Sequence, residues 1–215
     1  ASILEKQDFD FCINCAAYTN VEGAENEIEQ AQKINVGGVK NLVSACNEKG
    51  IKLLHISTDY VFDGTKDTPY VESDLPAPIN QYGLSKLQGE QYIQQNANAF
   101  YIIRSSWLYS KTLAANFYHT ILHKAKKGEA LTVVDDQIGT PTNVEHLAEF
   151  LLKLIEQEPE QGLYHFSDEH PMSWYELAVQ ILNEHQLQTS ITPTQTKAGG
   201  AARPPYTPLI TQKKF

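Results

Sequence analysis

The sequence predicts an α/β fold, a doubly wound parallel sheet followed by a smaller mixed α/β lobe. Three observations carry this. Short apolar runs alternate with longer stretches of helical periodicity from residue 9 to about residue 109, as parallel strands joined by crossover helices do. Beyond Tyr109 the elements shorten and the alternation loosens. The chain has 215 residues, 41% hydrophobic and 20% charged, enough for a large domain and a lobe around a sizeable core. The expected boundaries are 1–109 for the main domain and 110–215 for the lobe, with some lobe elements returning to the main sheet.

Phe9 to Cys15 is a short apolar run that reads as a buried strand. Helical periodicity then holds from about Glu25 to Glu48, and Gly50 ends it. Lys52 to Ser57 forms the second strand. An irregular Pro- and Asp-rich segment runs on to Ile79, and the helix Gln81 to Gln94 leads into a third strand, Phe100 to Arg104. In the lobe the pattern predicts a helix from Ala114 to Lys127, a strand from Ala130 to Val134 and a loop from Asp135 to Pro141. Thr142 and Glu145 have capping-box spacing at the head of a helix reaching Glu156, and Ser173 with Glu176 repeats it before Trp174 to His185. A strand from Leu163 to Phe166 lies between these helices, and the tail from Thr189 reads as loops.

Composition narrows the function classes. The net charge is −9 and the lysines are scattered, so neither nucleic acid nor an anionic membrane is an expected partner. Three cysteines make a disulfide framework unsuitable and point to a reducing compartment, the cytoplasm. There is no window of about 18 apolar residues and no secretory signal at Ala1 to Lys6. Cys12 and Cys15 have C-x-x-C spacing but sit within an apolar strand without a second pair, and His55 and His165 lie in or beside strands; packing is the preferred reading for all four. No metal site is expected from these spacings.

The chemistry centres on Tyr82 and Lys86, four residues apart and therefore on one helix face. About one such Tyr-x-x-x-Lys pair is expected by chance in a chain of this composition, so context decides. That context is a strand delivering Thr58 to the carboxyl edge of a parallel sheet, where ligands bind in open α/β folds. An upstream strand ends in small residues, Cys15-Ala16-Ala17, that admit a flat ligand. A phenol is a poor acid–base catalyst near neutrality, and the Lys86 cation is expected to draw the Tyr82 pKa down. Asn35 lies on an otherwise apolar helix face and must find partners. It either braces the strand end carrying Thr58 or bonds neighbouring backbone. Trp107, just past a strand end, reads as a pocket wall, with core packing as the alternative.

Thr58, Tyr82 and Lys86 resemble the Ser/Thr, Tyr and Lys set of the extended short-chain dehydrogenase/reductases. The segments Asn14 to Val21, Ser57 to Gly64, Pro78 to Gly83, Arg104 to Tyr109, Asp136 to Thr142 and Ala202 to Pro204 resemble, in order and spacing, the dTDP-4-dehydrorhamnose reductase family. The resemblance covers nearly the whole chain. It implies a Rossmann-like cofactor domain, a substrate-binding lobe, and reduction by NADPH or NADH of the C4 ketone of dTDP-4-dehydro-L-rhamnose. It also implies the roles: Tyr82 as general acid, Lys86 on the nicotinamide ribose, and Thr58 positioning the substrate. Ala16, Ala17 and Tyr18 match the cofactor-lining segment, and Thr19, Val21, Tyr60 and Trp107 match positions around the dTDP-sugar. A homodimer and a Mg ion at a subunit contact are left open by it.

The family opens with a strand and a Gly-rich turn that seats the pyrophosphate, and none of the 12 glycines here forms such a run. The first βαβ portion is therefore expected to be absent, and the family's final helix would follow Arg203-Pro204. Two other functions share the scaffold. The regulatory β subunit of methionine adenosyltransferase also resembles this sequence, and sugar-nucleotide epimerases are related. Tyr18 to Val21, Trp107 and Asp136 to Thr142 favour the reductase over both.

Overall fold

The computed structural model describes residues 8–113, 116–168 and 170–213. Its main sheet has four parallel strands in the order β1 (Phe11–Asn14), β2 (Lys52–Thr58), β3 (Phe100–Ser105) and β8 (Gly162–His165). Register is set by the period-2 pattern of apolar residues. Leu53 and Ile102 face one side, packed under Val39, Val43 and Ile93. Leu54, Tyr101 and Ile103 face the other, packed under Leu147, Leu151 and Leu154. Helices thus cover both faces, as a buried parallel sheet requires.

The periodicity predicts one helix from Glu25 to Glu48, whereas the chain forms α1 (Val21–Asn26), α2 (Ile28–Gln32), a π-helical turn (Lys33–Gly38) and α3 (Val39–Lys49). The wide turn coincides with Asn35, which is buried with its amide turned inward. Gly50 stops α3 in a left-handed conformation, φ 68°. The next helix, α4 (Gln81–Asn96), starts at Asn80, whose Oδ1 accepts from Gly83 N at 2.7 Å. A side chain at Gly83 would run into the Tyr60 carbonyl, so glycine is what allows α4 to lie against the end of β2.

In the second half, α5 (Phe117–Lys126) and α7 (Trp174–Glu184) pack on β5 (Leu131–Val134), with Ile121, Leu122, Leu131, Leu177 and Ile181 in the core. The expected helix start at Ala114 lies outside the described residues; Asn116 caps α5. Two-residue pairs β4 (Leu108–Tyr109) with β7 (Thr142–Asn143), and β6 (Ile138–Gly139) with β9 (Met172–Ser173), knit the loops together. The tail expected to be loops contains β10 (Ile191–Thr194), parallel to β5; an edge position tolerates its Pro193. α6 (Val144–Gln157) is capped by Asn143, which accepts from Glu145 N at 2.8 Å, and not by Thr142, whose hydroxyl turns to Thr140 O at 3.4 Å. The Ser173–Glu176 capping box forms as the spacing predicts.

Residues 201–210 run back across the molecule as a strap. Asn80 Nδ2 donates to Ala202 O, Ile138 N to Pro205 O, Thr207 N to Ile138 O, Tyr70 N to Pro208 O and Ile210 N to Tyr70 O. The strap joins the sheet domain to the lobe directly above the carboxyl edge of β2.

Candidate active site

At the end of β2 the chain turns sharply through Asp59–Val61, with Thr58 as the cap: its Oγ1 accepts from Tyr60 N at 3.2 Å. The turn places Thr58, Asp59 and Tyr60 beside the first turn of α4, which carries Tyr82. The Tyr60 and Tyr82 rings meet edge to face at 5.9 Å, and Thr58 hydrogen-bonds the Tyr82 phenol. Lys86, one helical turn on, is 2% exposed, and its Nζ donates to Ile56 O at 2.7 Å and lies 3.4 Å from His55 Nε2.

The electrostatics differ from the expectation. Burial pushes the Tyr82 phenol up to about 12, helped by Asp59 and Tyr60 and opposed by the Thr58 hydrogen bond. The Lys86 cation, turned toward Ile56 and His55, is not among the groups that act on it. The predicted depression of Tyr82 by Lys86 is therefore corrected: the phenol is held protonated, as a proton donor. Burial also lowers Lys86 to about 8, against the raising influence of Glu90 and Cys15. Asp59 is pushed up to about 7 by burial, although Thr207 Oγ1 donates to it at 2.5 Å and Thr58 Oγ1 at 3.2 Å.

The segment after β1 is anchored from below. Ala16 N donates to Asn14 Oδ1 at 3.1 Å, and Asn35 clamps Tyr18 by accepting from its N–H at 2.8 Å and donating to its carbonyl at 3.1 Å. Asn35 also donates to Ser85 Oγ at 2.8 Å, tying that segment to α4 instead of bracing the strand end of Thr58. Ala16 and Thr19 are exposed and Ala17 is half-buried, so this backbone is open to a ligand. The Tyr18 hydroxyl donates to Glu27, and Val21 opens α1 behind the segment.

A cavity of about 410 Å³ lies on the lobe side, lined by Glu22, Tyr60, Gln137, Trp174, Thr196 and Arg203 among others. Arg203 donates to the Tyr60 hydroxyl at 3.2 Å and to Glu22 at 2.9 Å. Trp107 stands one layer behind this wall. Its backbone is left-handed (φ 49°), its indole stacks on Trp174 at 3.6 Å, and it occupies a slot that exists because residue 139 is glycine. Trp174, Asn14 and His55 are parts of this region that sequence reasoning missed. Trp174 follows a recognisable cap, but only the tertiary fold brings it to Trp107. Larger hollows of about 700 and 670 Å³, on the outer faces of α7 and α5, contain none of these residues.

The residues present fit the nicotinamide end of a dinucleotide. Lys86 Nζ keeps one N–H beyond its Ile56 and His55 contacts, the Ala16–Ala17 backbone is open, and Tyr82 is protonated. Among the described residues no group of three or more His, Cys, Asp and Glu side chains could hold a metal ion.

A tyrosine phenol met by a threonine hydroxyl at the carboxyl edge of a parallel sheet, with a lysine one helical turn on, places this chain in the class of short-chain dehydrogenase/reductase-like oxidoreductases. A family model described as the RmlD substrate binding domain matches residues 1–214. The chain is 36% identical over 225 residues to dTDP-4-dehydrorhamnose reductase of Salmonella typhimurium, covering 99% of this chain and 75% of that protein. It is 40% identical over 202 residues to the spore coat polysaccharide biosynthesis protein SpsK of Bacillus subtilis, covering 93% and 70%. The crystal structure of dTDP-4-dehydrorhamnose reductase from Bacillus anthracis, solved in complex with NADP, superposes with a TM-score of 0.93 at 39% identity over 97% of this chain and 74% of that one. The chain belongs to the dTDP-4-dehydrorhamnose reductase family.

Proposed function

We propose that this protein reduces the C4 ketone of dTDP-4-dehydro-L-rhamnose to the alcohol of dTDP-L-rhamnose with NADPH, NADH being the alternative donor. The observation that carries the reading is the half-buried Tyr82 phenol hydrogen-bonded to the Thr58 hydroxyl at the carboxyl edge of β2. When bound, the reduced nicotinamide supplies the hydride that adds to C4. Tyr82 supplies the proton to the C4 oxygen. A phenol with a pKa of about 12 still does this downhill, because an alkoxide is a far stronger base than a phenolate. Thr58, already oriented by Tyr60 N–H, needs only a rotation of its O–H from Asp59 to hydrogen-bond the same oxygen. Lys86 directs its free N–H toward the ribose. Ala16, Ala17 and Tyr18 line the cofactor, while Thr19, Val21, Tyr60 and Trp107 surround the sugar, Trp107 acting through its stack on Trp174. Arg203 and Lys197, both on the cavity wall, bring positive charge to a diphosphate in a protein whose net charge is −9.

The identity to reductases across nearly the whole chain supports this reading over a non-catalytic regulatory subunit. In the same reading residues 1–109 chiefly hold the cofactor and 110–215 the sugar nucleotide, the protein works in the cytoplasm with its three cysteines free, and it assembles as a homodimer. Among the described residues no helix is long and apolar enough to cross a membrane. Tyr82→Phe tests the reading. Oxidation of NADPH in the presence of the dTDP-keto sugar is expected to slow about 100-fold or more with little change in melting temperature. Near-normal turnover in that variant would remove Tyr82 from its role.

A further inference from the structure

Beneath α4 lies a buried ion pair that the proton transfer itself does not use. Glu90 on α4 and Arg104 on β3 are 1% and 2% exposed. Arg104 Nε donates to both Glu90 carboxylate oxygens, at 3.0 and 3.1 Å, and Nη2 donates to Oε2 at 2.6 Å. The Ser57 hydroxyl also donates to Glu90 Oε1, and Ser57 is the register partner of Arg104 on β2. One carboxylate on the helix is thus gripped from two adjacent strands. The Arg104 guanidinium lies over the Phe62 ring, 5.1 Å from its centre. His165, beside Arg104 on β8, is held down to about 4 by burial and by the Arg104 charge, so it is neutral and Glu90 is the counter-ion.

Stability alone is a poor reason for such a pair. Removing two charges from water offsets most of their attraction, and apolar side chains of similar volume often fill the same space at least as stably. What an apolar contact lacks is direction. It lets a helix slide or turn by a fraction of an ångström, whereas a planar fork of N–H groups on two carboxylate oxygens fixes one geometry. The place of that fork matters here. Tyr82, Lys86 and Glu90 follow at four-residue intervals along α4 and so form one stripe, and Ser57 immediately precedes Thr58 at the end of β2. We propose that Ser57, Glu90 and Arg104 are positioning residues: the ion pair, tied to β2 through the Ser57 hydroxyl, fixes where α4 stands on the sheet and so holds the Tyr82 phenol against Thr58. This placement serves the proton transfer of the reductase reading, on which the proposal rests. None of the three is placed at the substrate or the cofactor; they act through Tyr82 and Thr58. A shift of about 1 Å at a reacting group is enough to slow a reaction about 100-fold.

The test replaces the pair by apolar residues in the full-length protein, Glu90→Leu together with Arg104→Met. The melting temperature is expected to stay within a few degrees of wild type. Turnover is expected to fall about 10- to 100-fold, while KM for NADPH and for the dTDP-keto sugar each change by less than about threefold. In the crystal structure of that variant the Tyr82 hydroxyl is expected to stand more than about 3.5 Å from Thr58 Oγ1, out of hydrogen-bond reach. A merely structural pair would lower the melting temperature and leave kcat of the folded protein unchanged. That result overturns the proposal, as does a wild-type kcat with the Tyr82–Thr58 hydrogen bond still in place. Should the double variant fail to fold, Ser57→Ala decides, because it leaves Glu90 and Arg104 paired and removes only the tether to β2. A lower kcat at unchanged KM supports the proposal there, and an unchanged kcat overturns it. Failure of the reductase reading is seen separately, in undiminished turnover by Tyr82→Phe, and leaves the Tyr82–Thr58 distance as the measure of what the ion pair holds in place.

Discussion

Asp59 is buried at the turn that follows Thr58, and its carboxyl is raised from the ordinary aspartate value to about 7 because its two hydroxyl donors do not offset the loss of water. A group whose folded pKa lies above its unfolded one binds more protons in the native state. Its favourable contribution is complete below the unfolded value of 3.8 and is lost as pH rises through about 7. Asp59→Asn, which keeps an acceptor for Thr207, is therefore expected to stabilise the protein at pH 8 by about 1–3 kcal/mol, with the gain fading toward pH 4. Denaturant titrations of both proteins across that range check the sign. At this scale the sequence was only partly legible. Tyr82 and Lys86 are readable because their spacing matches one helical turn, and Thr58 because it ends a strand. The direction of the Tyr82 pKa shift was misread because spacing says nothing about where an ammonium points once a carbonyl and an imidazole compete for it. His55 looked like packing for the same reason: its partners Lys86 and Asn14 are 31 and 41 residues away.

The elements were more legible than their joints. β2, β3 and α4 stand close to where apolar alternation and helical periodicity put them, since both follow from which face must be buried. The continuous helix expected over Glu25 to Glu48 hid a π-helical turn, because a one-residue widening leaves the apolar spacing on either side intact. β10 was invisible because Thr and Pro carry no periodicity and its strand partner, β5, lies about 60 residues away. Two variants test the joints. Ser173→Ala removes the cap of α7 and a 2.5 Å hydrogen bond to Asp135, and is expected to cost about 1–2 kcal/mol by calorimetry. Gly139→Ala places a methyl group in the Trp107 slot and is expected to cost about 1–3 kcal/mol while raising KM for the dTDP-sugar more than for NADPH. Equal changes in both KM values would show that the Trp107–Trp174 stack does not serve the sugar side.

At the scale of the whole molecule, the strap of residues 201–210 touches both halves, through Asn80, Tyr60, Tyr70 and Asp59 on one side and Ile138 and Thr140 on the other. Ending the chain after Gly200 strips these partners at one stroke. The melting temperature is expected to fall by about 10 °C or more, and limited proteolysis to cut first near Ile138, where β6 loses its Pro205 and Thr207 bonds. The strap also has a bearing on the order in which the protein matures during translation. Every described strand leaves the ribosome before Ala201 does, so Thr58, Tyr82 and Lys86 can be in place on a folded sheet while the Asp59 carboxyl still lacks Thr207 and the cavity still lacks Arg203. In the proposed reading, a nascent chain at that point holds its proton donor without the strap groups assigned to the sugar nucleotide, so reduction chemistry is assembled before substrate capture.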